Sequence, residues 1–256
     1  MKRKDRRFRS NSSAQLLIVA ALAIAILISA TTTYVYELGK ETNGTYNYPI
    51  SDSILAIKQT TRNALISSLA NISNGGEKTL LVTNLNELSQ SLRNLTQFGI
   101  WQLSFIVLDD STYDSGVWLS WDTNDVGVSS AYTDFTLRAY DVATNSTVNY
   151  AVNVTTTITV SGYYMALGIE KMVNLTCNMY NEGEPALAQN ITLFYENLGI
   201  WMPIDSSNNL SITDYGNGTY AISFRVVTLS DTVQVSTHLK DLRGIFVQTN
   251  TTCTER

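Results

Sequence analysis

The 256-residue chain has one histidine and two cysteines, and only 15% of its side chains are charged. A single histidine, His238, excludes every metal or catalytic pattern that needs two. The sequence also contains no Gly-x-Ser-x-Gly, no phosphate loop, no Ser-x-x-Lys in a helical context and no cysteine with a partnered histidine. Paired carboxylates for glycoside cleavage are defined by their separation in space, and nothing in the sequence singles out such a pair. The chain reads as a non-enzyme that needs no cofactor. Charge is scarce but unevenly placed. Residues 1–13 hold Lys2, Arg3, Lys4, Arg6, Arg7 and Arg9 against Asp5, a local +5, so the net charge of -5 leaves about -10 for the remainder. An acidic body of this kind has no footprint for phosphate backbones, so no nucleic-acid partner is expected.

What is present begins with an uncharged run from Ser10 to Tyr36, almost wholly apolar over Ala14–Ala30. Extended through Thr31–Thr33, Tyr34 and Tyr36 it spans roughly 40 Å as a helix, enough to cross a bilayer. The basic residues before it keep that end in the cytoplasm and place everything after Glu37 outside. This predicts a single-pass anchor in the plasma membrane, with the membrane itself as first partner. A removable signal has the same basic start, but Ile28 is too bulky for a small-x-small cleavage pattern ending at Ala30. The start Ser12, Ser13, Ala14, Gln15, followed by an Ala/Leu/Ile helix, resembles archaeal type IV pilin precursors over roughly 35 residues. It departs from them in lacking the glycine before the cut and the glutamate soon after it. That resemblance implies a filament subunit processed on the cytoplasmic side.

Eleven Asn-x-Ser/Thr acceptors occur, about twice the chance number for this composition. Ten lie beyond the anchor: Asn43, Asn71, Asn94, Asn145, Asn153, Asn174, Asn190, Asn209, Asn217 and Asn250. Glycosylation requires them to reach the outside and face solvent. Strand parity agrees: Val152, Val154, Ile158 and Val160 share one face while Asn153, Thr155, Thr157 and Thr159 share the other, and Asn174 and Asn190 alternate likewise with apolar neighbours. The same polar strands also make sequons by composition alone.

Helical spacing at Ile54, Ile57, Thr61, Leu65, Leu69 and Ile72, and again at Leu81, Leu85, Leu88, Leu92 and Leu95, predicts a hairpin broken at Asn74-Gly75-Gly76. Its stripes suit packing on a β-domain or a homotypic helical contact. From Ile100 the period becomes two, with turns at 109–116, 124–127 and 144–146, and a second run of strands starts near Gly168. Asn174-Leu-Thr-Cys177, Asn190-Ile-Thr-Leu-Phe-Tyr195, Gly199-Ile-Trp201 and Asp214-Tyr-Gly-Asn-Gly-Thr-Tyr220 together resemble an immunoglobulin-like sandwich of the bacterial and archaeal surface type. The resemblance implies that Tyr220 closes a hydrogen bond across a strand corner. The expected fold is thus a membrane-anchored α+β protein: basic cytoplasmic tail 1–13, transmembrane helix 14–36, linker 37–50, helical hairpin 51–98, β-rich domain 99–166, sandwich 167–249 and tail 250–256.

Cys177 falls on an inward strand face and Cys253 in the tail. In an oxidising exterior a disulfide between them closes a loop of about 75 residues, worth about 4 kcal/mol on an entropic account; two buried thiols are the alternative. Asp109, Asp110, Asp114, Asp122 and Asp125 offer oxygen ligands to a calcium ion or serve as solvated turn acids, and Val126 stands where a calcium loop needs its third ligand. Trp118 and Trp121 read as core aromatics or as a sugar-stacking platform, and His238 as a surface residue. The function expected is that of an envelope or adhesion module that meets protein or glycan partners or neighbouring copies.

Overall fold

The computed structural model describes residues 50–94, 100–140 and 145–256. The expected cytoplasmic tail, transmembrane helix, most of the linker and Asn43 lie outside them. Among the described residues no helix is long and apolar enough to cross a membrane. The chain divides into two compact units, 1–53 and 54–256, and the second is mainly β.

Two helices precede the strands, α1 (Ile50–Ser73) and α2 (Leu80–Asn94). On α1 the residues Ile57, Thr61, Leu65, Leu69 and Ile72 recur every three to four positions and are buried together, as a 3.6-residue period requires. The helix stops at Asn74-Gly75, where Gly75 takes φ +102°, an angle that costs glycine little, and donates to the Ile72 carbonyl. On α2 the buried stripe is Leu81, Leu85, Ser89 and Leu92. The expected Leu88 is only half-buried, because Ser89 turns inward to donate a 2.7 Å bond to the Leu103 carbonyl. Both stripes face the β-region of their own chain: Thr61 meets Tyr150 at 3.2 Å, and Leu81 lies beside Gly116.

The strands are β1 (Ile100–Val107), β2 (Val117–Thr123), β3 (Val126–Tyr140), β4 (Asn145–Leu167), β5 (Glu170–Asn181), β6 (Glu184–Pro185), β7 (Ala188–Asn197), β8 (Ile200–Pro203), β9 (Ser211–Asp214), β10 (Thr219–Val227), β11 (Val233–Asp241) and β12 (Phe246–Glu255). β3 carries β1 and β2 on one edge and β4 on the other. β4, 23 residues long, then changes neighbours. Its first part pairs with β3 as far as Thr159, its second part pairs with β5, and β12 takes the edge that β3 leaves, in parallel at Tyr163 and Tyr164. The result is two four-stranded layers, β4-β5-β10-β9 and β8-β7-β11-β12, joined at the β4–β12 pair. Their inward residues, among them Val173, Leu175, Met179 and Phe224 from one layer and Leu193, Val235, Leu239 and Val247 from the other, form one core.

Two expected boundaries are corrected here. The expected boundary at 166/167 falls at the last residues of β4, which pairs with both β3 and β5, so the sheet runs on across it. Glycine is needed at 162 because a Cβ there would meet the Leu175 side chain, the Asn174 carbonyl at 2.8 Å and Cys253 Sγ at 3.0 Å. Residues 250–255 are not a tail but most of the last strand, with Thr251 and Cys253 buried.

A charged clamp fixes α1 to the turn between β11 and β12. Asp241 is completely buried and accepts from Arg243 Nε (2.7 Å), Thr156 Oγ1 (3.0 Å) and the Arg243 and Ile245 backbone N–H groups. Arg243 also reaches Glu182 at 2.7 Å, and Glu182 holds Arg62 of α1 at 3.2 Å. Every lone pair of the buried carboxylate is thereby served, which is the condition under which a buried charge is tolerated.

Candidate functional site

Cys177 and Cys253 belong to the same core but are not joined; both are free, buried thiols. Cys177 stands opposite Val160 and Tyr220, whereas Cys253 stands opposite Val233 and against Gly162, so each fills its own niche between layers. Burial pushes both thiols up to about 12, helped at Cys253 by the charge of Asp125. The thiolate is the reactive form. Neither thiol should therefore react with a disulfide reagent at pH 8 in the native protein, and two should titrate after unfolding in urea without reductant. Finding none after unfolding would show the pair to be oxidised.

Of the glycan acceptors, Asn71, Asn94, Asn145, Asn153, Asn190, Asn209 and Asn217 are exposed, while Asn174 and Asn250 are half-buried on sheet faces. The Asn174 Nδ2, the atom that would carry the sugar, is shut off from solvent. Tyr220 does close its cross-strand bond, its hydroxyl accepting from the Ala188 N–H at 2.7 Å. The loop acids are engaged locally. Asp110 accepts from the Tyr113 and Thr112 N–H groups, and Asp114 pairs with Lys78 at 2.7 Å. Those bonds hold both carboxyls below the usual range, so the acids support their turns at neutral pH and release them only as pH falls through the depressed value. Asp122 lies in β2, its side chain outside the described ones. Among the described residues no group of three or more His, Cys, Asp or Glu is placed to hold a metal ion. Trp118 and Trp121 are half-buried, Trp118 against Tyr113 and Trp121 edge-on to Phe246.

The surface most in need of explanation leaves no local mark in the sequence. Antiparallel pairing fixes which turns share an end: Val227 of β10 faces Glu170 of β5, and Val235 near the start of β11 faces Tyr195 near the end of β7. The β4–β5 turn, the β7–β8 turn and the β10–β11 loop therefore project from one pole. Each presents a bare aliphatic side chain: Ile169 is 83% exposed, Leu198 89% and Leu229 95%. Leu167, Val227 and Ile200 around them are also exposed. Nearby cations are drawn aside. Lys171 lies 4.2 Å over the Tyr164 ring and donates to the Ser230 carbonyl, Arg256 stacks at 4.8 Å over Tyr163, and Arg225 pairs with Glu170. The aliphatics are left outermost. An isolated exposed leucine needs no explanation, but here three aliphatics stand exposed on three turns at one pole.

Lys58 of α1 lies toward the far end of the same unit. Lys58 stacks 5.0 Å over Tyr150, which precedes Leu167 by 17 positions of β4, about 55 Å along a strand. Leu55, Ile100 and Tyr140 are exposed there. Comparison with known proteins supplies no relative: no family model matches the chain, and no curated protein is significantly similar to it.

Proposed function

We propose that the chain is a single-pass, N-glycosylated cell-surface protein, N-terminus in the cytoplasm and β-region outside, that acts as an envelope or adhesion module through contacts with copies of itself. It is not an enzyme in this reading. The β-region is taken as an immunoglobulin-like sandwich, supported by the layer order β4-β5-β10-β9 against β8-β7-β11-β12 with the first and last strands parallel. The anchor rests on the basic start and the uncharged run to Tyr36.

The observation that carries the interaction is the pole of three aliphatic turns. Contacts between copies that bury this pole remove the exposed aliphatic side chains from water. Full-length protein in detergent should sediment as oligomers. The Ile169→Ser, Leu198→Ser, Leu229→Ser triple variant should sediment as single copies with an unchanged melting temperature, since none of the three supports the core. Unchanged association would remove the pole from this reading.

The pilin-like start favours a second reading, in which the apolar helix packs in a filament core. In that case association survives the triple variant, and the mature protein begins near Gln15.

A further inference from the structure

We infer that the outer face of the β8-β7-β11-β12 layer is a binding site for a neutral oligosaccharide. The inward side chains of this layer are aliphatic with buried threonines among them, and its outward ones include a row of rings set among polar side chains. Phe246 of β12 meets His238 of β11 edge-on at 5.5 Å, and His238 meets Phe194 of β7 at 4.9 Å. Beside this row Trp201, on the edge strand β8, is 42% exposed. Phe194, Trp201, Ser236, His238, Gln248 and Asn250 enclose a hollow of about 380 Å³, within the size range of small-molecule sites. A second hollow of about 230 Å³ lies on the other side of His238, where Asn74, Asn190, Thr192 and Lys240 line it. The two hollows share His238 and between them are lined from all four strands, a trough in outline.

The chemistry of the lining selects the ligand. The first hollow is lined by no carboxylate, lysine or arginine, and Lys240 at the second is the one such side chain along the two, so an uncharged ligand suits the aromatic end. Beneath it β7, β11 and β12 are paired strand to strand, so the floor of the hollow has no open edge for a peptide strand. What remains is ring faces next to side-chain amides, a hydroxyl and an imidazole. The Ser236 hydroxyl lies 3.1 Å from His238 Nε2, and amides share with sugar hydroxyls the capacity both to donate and to accept. The C–H face of a pyranose packs on the electron-rich face of an indole or phenyl ring. Neutral sugars present both features on one small rigid body. Asn250 also reads better as part of this lining than as a glycan carrier, since a sugar attached there would fill the hollow.

Such a sugar has two sources. Asn190 is an exposed acceptor on the rim of the second hollow, so a glycan on it begins at the trough; alternatively the sugar belongs to another molecule. The site takes from the proposed function only the exposure of this face outside the cell. Its test reads binding whether or not the pole is altered, so failure of one is separable from failure of the other.

The test uses full-length protein made in a host that adds no glycans, applied to an array of neutral hexose, N-acetylhexosamine, pentose and deoxyhexose oligosaccharides. Binding is expected to at least one class, weakened tenfold or more by Trp201→Ala or Phe194→Ala and severalfold by Gln248→Ala, with the melting temperature of Trp201→Ala unchanged. Absence of binding across the array overturns the proposal, as does binding that Trp201→Ala leaves intact. Glycosylated protein and its Asn190→Gln variant separate the sources. Binding by the variant alone shows the trough filled by the chain's own glycan, and binding by both shows a sugar from outside.

Discussion

Arg243→Met is expected to lower the unfolding free energy by about 3–5 kcal/mol, the cost of stranding a buried charge by removing its partner. Asp241 is completely buried, and among the described residues Arg243 is its one cationic partner, through a 2.7 Å bond from Nε. The same guanidinium holds Glu182, the Thr155 carbonyl and Thr156 Oγ1. Methionine keeps most of the bulk but none of these donors. For a unit of about 200 residues the loss corresponds to a fall of about 10 °C in melting temperature. Arg62→Met is the control. It breaks only the half-exposed pair with Glu182, worth about 1 kcal/mol or less. Adding Asp241→Asn to Arg243→Met should recover part of the loss, because the orphaned charge goes with it. A melting temperature for Arg243→Met within about 2–3 °C of the parent, the size of a surface change, would show the clamp to be incidental.

Gly127→Ala is the second large effect, roughly 3 kcal/mol or more for forced overpacking against backbone. A methyl at 127 would overlap the Gln248 carbonyl oxygen, with its carbon at 2.8 Å and Ile158 Cγ1 at 3.1 Å. Neither strand can yield alone. Asp125 just before it donates its N–H to the Asn250 carbonyl and accepts from the Val160 N–H, which stitches the β2–β3 turn to both β12 and β4. Gly183→Ala is the matched comparison, since nothing lies within 4 Å of a Cβ there and only its φ of +87° opposes the change, at about 1–2 kcal/mol. Urea titrations of both variants decide the matter: equal losses would mean that the approach of β12 to Gly127 is not a constraint.

The sequence carried the repetitive parts of this architecture well. The stripe from Ile57 to Ile72 and the alternation from Val152 to Val160 are governed by helix and strand periods, and both recur in the burial pattern. It misled where one residue answered to a distant neighbour. Gly162 beside two tyrosines looks like local punctuation, yet its lack of a side chain serves Cys253, 91 positions later. The last strand hides in a run of Asn and Thr because one of its faces is polar and its other face buries threonines as well as Cys253. Both candidate surfaces were invisible for a related reason. Ile169, Leu198 and Leu229 are single aliphatics in separate turns, and Phe194, Trp201, His238 and Phe246 belong to four strands. Only the strand register brings each set together, and register is a property of pairing rather than of any local window.

The parallel seating of β12 on β4 also orders events in time. The β3–β4 and β4–β5 hairpins close between near neighbours, and such pairings form fastest. Thr254 and Tyr163 are separated by 91 positions, so the seam that shuts the core closes late, after the costliest loop. Until then the 160–167 stretch of β4, Tyr164 included, has one open edge, the kind of template on which chains mispair. The polar Asn and Thr that disguise β12 keep the waiting strand soluble. They lower the risk of aggregation during the interval that this topology imposes.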